Sequence, residues 1–194
     1  MKIALLAWGS LIYDRGNLAL AEDWKLGGPE LPIEFSRISK TGDRMGCLTL
    51  VIDEANGAVV PTRFALSARS VLADAIMDLQ TRERTHKKWI GFLDFTNELL
   101  SLRAFQLHPI ACERIRLWAK QRKFDAAIWT ALPSNFQDKT GQPFSVHAGM
   151  DYLENLYYTT RAKALDYIRQ APPEVITPLR RRLVESKIVE EARA

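Results

Sequence analysis

The stretch Ile3-Ala4-Leu5-Leu6-Ala7-Trp8-Gly9-Ser10 decides how the rest of the chain is read. Its apolar residues run without interruption, the pattern of a buried strand, and Gly9-Ser10 stops that strand at a turn. Outward from it, Leu31–Ile38, Cys47–Asp53 and Val59–Leu66 alternate imperfectly and are rich in Ile, Val, Thr and Phe, so they too read as strands. Lys40-Thr41-Gly42-Asp43 and Glu54-Ala55-Asn56-Gly57 supply turns between them. Pro61 confines its own strand to an edge or a bulge. Ser70 is a candidate N-cap for a helix running to Thr85, with Val71, Leu72, Ala75, Ile76 and Leu79 on one face. Lys88–Phe95 and Asp125–Leu132 complete the predicted strands, and Pro109–Lys123 a further helix. Phe136–Val146 reads as a loop, Asp151–Gln170 as one helix ended by Pro172-Pro173, and the chain from Glu174 onward as one or two more.

Strands in a run followed by helices predict an α+β protein, with a small mixed β-barrel or curved sheet flanked by helices and a helical C-terminal third. The chain is expected to form one domain over 1–194, with 151–194 a helical extension packed on it. Its 194 residues suffice to bury a core without staples. Lys and Arg total 27 against 23 acids, so the net charge is 27 − 23 = +4, too small a bias to imply nucleic acid but suited to a small anionic ligand. Cys47 and Cys112 lack metal spacing and a disulfide framework, which points to a reducing cytoplasm. No signal segment and no membrane span is read from the sequence.

Glu83 is the first candidate for chemistry. At about 100° per residue it falls in the stripe of Leu72, Ile76 and Leu79, while Arg82 and Arg84 point off to either side. Burial on that face and the negative end of the helix dipole both favour a proton on the carboxylate, as a general base working near neutrality needs. The plainer reading is a helix that frays before Glu83 and leaves it solvated or paired with arginine. The second candidate is Trp8-Gly9-Ser10-Leu11-Ile12, where the amides of Gly9, Ser10 and Leu11 can converge on an anion or developing oxyanion. The plainer reading there is a strand-to-loop turn.

Other chemistries lack their motifs. No G-x-S-x-G surrounds a serine, and neither a P-loop nor a G-x-G-x-x-G follows a strand. His86, His108 and His147 are too scattered for zinc. Arg114, Arg116, Lys120, Arg122, Lys123 and Arg180-Arg181-Arg182 read as solvated faces, diluted by Glu113, Glu185, Glu190 and Glu191.

Taken in order, these motifs resemble those of the γ-glutamylcyclotransferases, above all the ChaC-type branch. Trp8-Gly9-Ser10-Leu11-Ile12-Tyr13 is similar to the Tyr-Gly-Ser-Leu signature at the end of that family's first strand. Arg37-Ile38-Ser39, Gly42-Asp43-Arg44 and Gly46–Val51 follow a similar order of arginine, serine, turn and strand. Leu79-Gln80-Thr81-Arg82-Glu83 resembles the family's Leu-x-x-Arg-Glu, whose glutamate is the catalytic acid/base, and Ala148–Leu156 resembles a late segment leading into a helix. Trp8 stands where the family carries tyrosine, Arg84-Thr85 where glycine commonly follows the glutamate, and Asp125–Phe136 has no counterpart.

The resemblance implies a γ-glutamyl substrate converted to 5-oxoproline with no metal or organic cofactor. Glu83 would be the acid/base, and Trp8, Gly9, Ser10, Leu11 and Arg37 would bind substrate. It implies neither a nucleic-acid nor a membrane partner. The alternative is a non-catalytic domain of the same fold that binds a small anion.

Overall fold

A computed structural model describes residues 1–40 and 42–189. Thr41 of the predicted first turn, the acids Glu190 and Glu191, and the end of the 151–194 extension lie outside the described residues. In chain order the elements are β1 (Ile3–Ala7), a 3-10 turn (Ser10–Ile12), β2 (Lys25–Leu26), β3 (Leu31–Ile38), β4 (Leu48–Ile52), β5 (Ala58–Val60) and β6 (Arg63–Leu66). There follow α1 (Leu72–Glu83), a 3-10 turn (Lys87–Trp89), β7 (Ile90–Asp94), β8 (Leu99–Leu100), α2 (Leu102–Leu107), α3 (Pro109–Gln121) and β9 (Ala126–Thr130). The last third is helical, with α4 (Phe136–Thr140), α5 (Val146–Glu154), α6 (Tyr158–Gln170) and α7 (Pro178–Glu185).

The fold is mixed α+β with two sheets, and neither is a closed barrel. One has six strands in the order β2-β6-β1-β9-β7-β8, the other three in the order β4-β3-β5. The larger ends at β2 and β8, each only two residues long, so its two margins do not meet. The chain divides into two compact units, the first made of Met1–Leu31 and Pro61–Leu132, the second of Pro32–Val60 and the chain from Pro133. Each passage from one unit to the other falls at an X-Pro bond, Leu31-Pro32, Val60-Pro61 and Leu132-Pro133. Proline disfavours the helical region for the residue before it and so keeps these passages extended. The predicted Val59–Leu66 strand is cut there: its two halves are β5 and β6, which lie in different sheets. Pro61 has no N–H to offer a ladder, and the strand ends rather than bulges.

In the first unit, β1 runs parallel to β9, pairing Ile3 with Ala126 and Leu5 with Ile128, and antiparallel to β6. β9 pairs antiparallel with β7, Ile90 opposite Thr130. The odd residues of β1 share one apolar cluster with Ala126 and Ile128 of β9, Ile90 of β7, and Ala75, Ile76 and Leu79 of α1. Every residue of β1 is buried, which is why alternation is absent from its sequence. The N-cap of helix α1 is Val71 rather than Ser70, and it makes no side-chain cap bond. Its C-cap is Arg84, whose φ of 46° lies in the left-handed region that glycine favours. This is the position where the family resembled commonly carries glycine.

In the second unit, β3 and β4 are antiparallel, with an irregularity between Glu34 and Arg37. Two helical predictions change here. The predicted loop 136–146 contains α4, closed by Gly141 at φ 79°. The predicted single helix 151–170 is α5 and α6, broken at Asn155–Tyr157, with Ser145 capping α5 through the Ala148 N–H. The mean pattern of apolar residues continues across the break, so periodicity alone did not reveal it. Cys47 and Cys112 are buried thiols. Among the described residues no helix is long and apolar enough to cross a membrane.

Candidate functional site

At the carboxyl end of β1, Trp8 and Gly9 are buried and Ser10 is half-buried. The 3-10 turn that follows is closed by the Ile12 N–H donating to the Gly9 carbonyl at 3.0 Å, and the Asp14 N–H donates to the Ser10 carbonyl at 2.8 Å. A turn of this kind leaves its leading amides, here those of Ser10 and Leu11, without an acceptor inside it. Leu11 anchors the turn by burying its side chain in the cluster beneath α1.

Arg82 joins this turn to the end of α1. Its side chain is only 9% exposed, although the helical angle alone directs it to the flank. It turns back instead. Its Nε donates to the Asp14 carbonyl at 3.0 Å, and its Nη2 reaches the same carbonyl, the Ser10 hydroxyl at 3.4 Å and an Asp14 carboxylate oxygen at 3.4 Å. Its Nη1 donates to Glu83 Oε1 at 2.9 Å. Gly16 makes room for the stem: its φ is 54°, and a Cβ there would stand 3.3 Å from Arg82 Cγ. A Cβ vector fixes the start of an arginine, while three further carbons let its head travel across a turn. That is why helical-wheel geometry missed it.

Glu83 is the last residue of α1, so the helix reaches it, and its side chain is 17% exposed. Its setting is charged rather than purely apolar. The Arg82 guanidinium stands 2.9 Å from Glu83 Oε1. Gly9, Ser10, Leu11 and Glu83 thus belong to one unit, and Arg82 bonds both Ser10 and Glu83, bridging 72 residues of sequence. Trp8 is buried but lies outside the apolar cluster that holds its neighbour Ala7. Arg37 belongs to the second unit, where its Nη1 donates to the Pro133 carbonyl at 2.7 Å and burial pulls its guanidinium below the ordinary arginine value.

The second unit holds a carboxylate that the sequence did not flag. Glu34 of β3 is fully buried; it accepts the Phe35 N–H at 2.6 Å and, from the first turn of α7, the Leu179 N–H at 3.1 Å. Thr177, the N-cap of α7, adds a hydroxyl bond. Burial outweighs these contacts and pushes its pKa up to about 7, with the charge of Asp53 adding to the rise. No local signal marks it, because a single polar residue in a strand reads as the exposed half of an alternation. The basic runs are not uniform faces either. Arg180 is buried and donates to the carbonyls of Pro172, Val175 and Ala171, Arg116 pairs with Glu113, and Arg122 lies over the rings of Phe64 and Trp118.

Comparison with models of known protein families, with curated proteins and with solved structures returned no match.

Proposed function

We propose that the first unit is the catalytic core of a γ-glutamylcyclotransferase-like enzyme, with Glu83 as its acid/base. The observation that carries this reading is the Arg82 guanidinium, which holds the Ser10 hydroxyl and the Glu83 carboxylate in one hydrogen-bonded group. The two motifs that carry the family resemblance are thereby neighbours rather than separate likenesses. Their place beyond the end of β1, which runs parallel to β9, also suits a ligand, because loops at such strand ends gather on one rim of a sheet.

In this reading a γ-glutamyl compound presents its scissile carbonyl, or its α-carboxylate, to the Ser10 and Leu11 amides, with the Ser10 hydroxyl as a further contact. Glu83 accepts a proton from the α-ammonium, and the freed amine attacks the γ-carbonyl. The new C–N bond closes the lactam. As the bond to the leaving amine breaks, Glu83 returns its proton to that nitrogen and relays to it the second proton of the attacking nitrogen, so the products are 5-oxoproline and an ammonium with no net proton change. Both reacting groups belong to one molecule, so orientation supplies most of what a bimolecular reaction would lack. A single acid/base contributes about 10²–10⁴-fold and an oxyanion donor about 10²–10³-fold. Arg37 donates to the Pro133 carbonyl and is given no proton-transfer step. We assign the reaction to a reducing cytoplasm, in keeping with two buried thiols.

The test is incubation of the protein with a panel of γ-glutamyl compounds, glutathione included, and quantification of 5-oxoproline beside Glu83→Gln. Product from the wild type alone is the expected result. Product from both removes Glu83 from the role. Binding of the panel without product from either form selects a small-anion-binding domain instead.

A further inference from the structure

Thr130 is the last residue of β9 and half-buried, and its hydroxyl oxygen is fully enclosed with no hydrogen-bond partner among the described residues. Its position follows from the register. Directly opposite it on β7 is Ile90, and cross-strand partners share a face of the sheet. Ile90 lies in the apolar cluster with Leu79 of α1, as does Ile128, two residues before Thr130. Thr130 therefore faces the side that α1 covers.

It also stands at the Glu83 end of that helix. The parallel ladder pairs Leu5 with Ile128, and β1 and β9 each run two residues further, to Ala7 and Thr130, so Gly9-Ser10 follows β1 at the end of the sheet where Thr130 closes β9. From the other direction, α1 ends at Glu83 and the chain enters β7 at Ile90, Thr130's own partner, after one 3-10 turn packed on α1. Strand register and helix exit converge on the rim that carries Ser10, Arg82 and Glu83.

An enclosed hydroxyl without a partner is unfavourable in the folded chain, and a ligand group or an ordered water completes it. We propose that Thr130 is a substrate-binding residue whose Oγ1 accepts an N–H of the α-ammonium of the bound γ-glutamyl compound. This rests on the cyclotransferase reading above. The ammonium is the group that fits. Among the side chains bonded at this rim, Arg82 has its donors committed to Ser10, Asp14 and Glu83, and the open backbone groups of the 3-10 turn are themselves donors suited to anions. A hydroxyl on the α1 side of this rim supplies the acceptor that a cationic head needs. By holding one N–H it also fixes which of the others faces Glu83.

The experiment uses the full chain with Thr130→Val and Thr130→Ser, assayed on the best γ-glutamyl substrate and on its glutaryl analogue, which lacks the α-amino group. Valine keeps the shape and removes the hydroxyl. Thr130→Val is expected to raise KM about 10- to 100-fold with a smaller change in kcat, while Thr130→Ser stays near wild type. The inhibition constant of the glutaryl analogue should be the same for wild type and Thr130→Val, and the ligand-free Tm of Thr130→Val should equal or exceed that of wild type. A Thr130→Val enzyme with unchanged kcat/KM overturns the proposal and leaves the cyclotransferase reading standing. A ligand-free Tm that falls with the hydroxyl overturns it too, because the group would then serve the fold. If wild type forms no 5-oxoproline from any compound and none shifts its Tm, the cyclotransferase reading fails and the Thr130 assignment falls with it.

Discussion

Two glutamates, one in each unit, show how far burial alone decides what a carboxylate does. Glu34 is wholly enclosed and is met by two backbone amides and the Thr177 hydroxyl, and its pKa rises to about 7. Glu83 is 17% exposed and shares its oxygen with the Arg82 guanidinium. By degree of burial, Glu34 is the stronger acid/base candidate. By geometry it is a clasp: its oxygens are committed to β3 and to the first turn of α7. The contrast separates a perturbed group from a placed one, since a general base must also reach the proton that moves.

The sharpest way to break this comparison is to exchange each glutamate for glutamine. Glu83→Gln should lower 5-oxoproline formation by about 10²–10⁴-fold, whereas Glu34→Gln should leave kcat within about threefold of wild type, both read by product quantification. Equal losses would erase the distinction.

Next in size is a pH effect at Glu34. Its proton is held more tightly in the folded chain, with a pKa of about 7, than at the ordinary value of 4.5. Its contribution to stability is therefore complete below pH 4.5 and is lost as pH rises through 7. The loss is on the order of 3 kcal/mol. Urea midpoints of wild type and Glu34→Gln across that range measure it: the difference between them should decline with rising pH, and a flat difference would remove the linkage.

Arg82→Met comes third. It removes the guanidinium bonded to Glu83 Oε1 and to the Asp14 carbonyl, and should cost about 2 kcal/mol by urea unfolding at pH 7, because hydrogen bonds to charged groups are lost at a largely enclosed site. The smallest effect belongs to Arg84→Gly, which relieves the left-handed φ of 46° and should add about 0.5–1 kcal/mol while leaving turnover alone. Lower stability in that variant would mean that the Arg84 side chain has work of its own.

What the sequence disclosed and what it hid divide along the range of the interactions. β1 and the body of α1 were legible because burial writes itself into neighbouring residues: an unbroken apolar run for one, a stripe through Ile76 and Leu79 for the other. Glu83 and the Gly9-Ser10-Leu11 turn could be singled out on the same local grounds. The passage at Pro61 into another sheet was not legible, since nothing in Val59–Leu66 states which strands its halves will join. Nor was Glu34, whose amide partner Leu179 lies 145 residues away. Arg82 was visible as a residue but not as a bridge, because its reach depends on a turn at Asp14 that the helix does not encode.

The order of the large sheet bears on how the chain is made. β1 leaves the ribosome before the other strands of its sheet, yet its neighbour β9 is the last strand of that sheet to be synthesised, with Ile3 waiting for Ala126. Until then β1 has only β6 beside it, and an apolar strand at the middle of the future sheet presents an open edge to whatever passes. Translation at about 5–20 residues per second makes that a wait of several seconds. Nascent chains of this protein are thus expected to need shielding by a chaperone, and silent codon changes that slow translation between β6 and β9 should lower soluble yield without altering a single residue of the product.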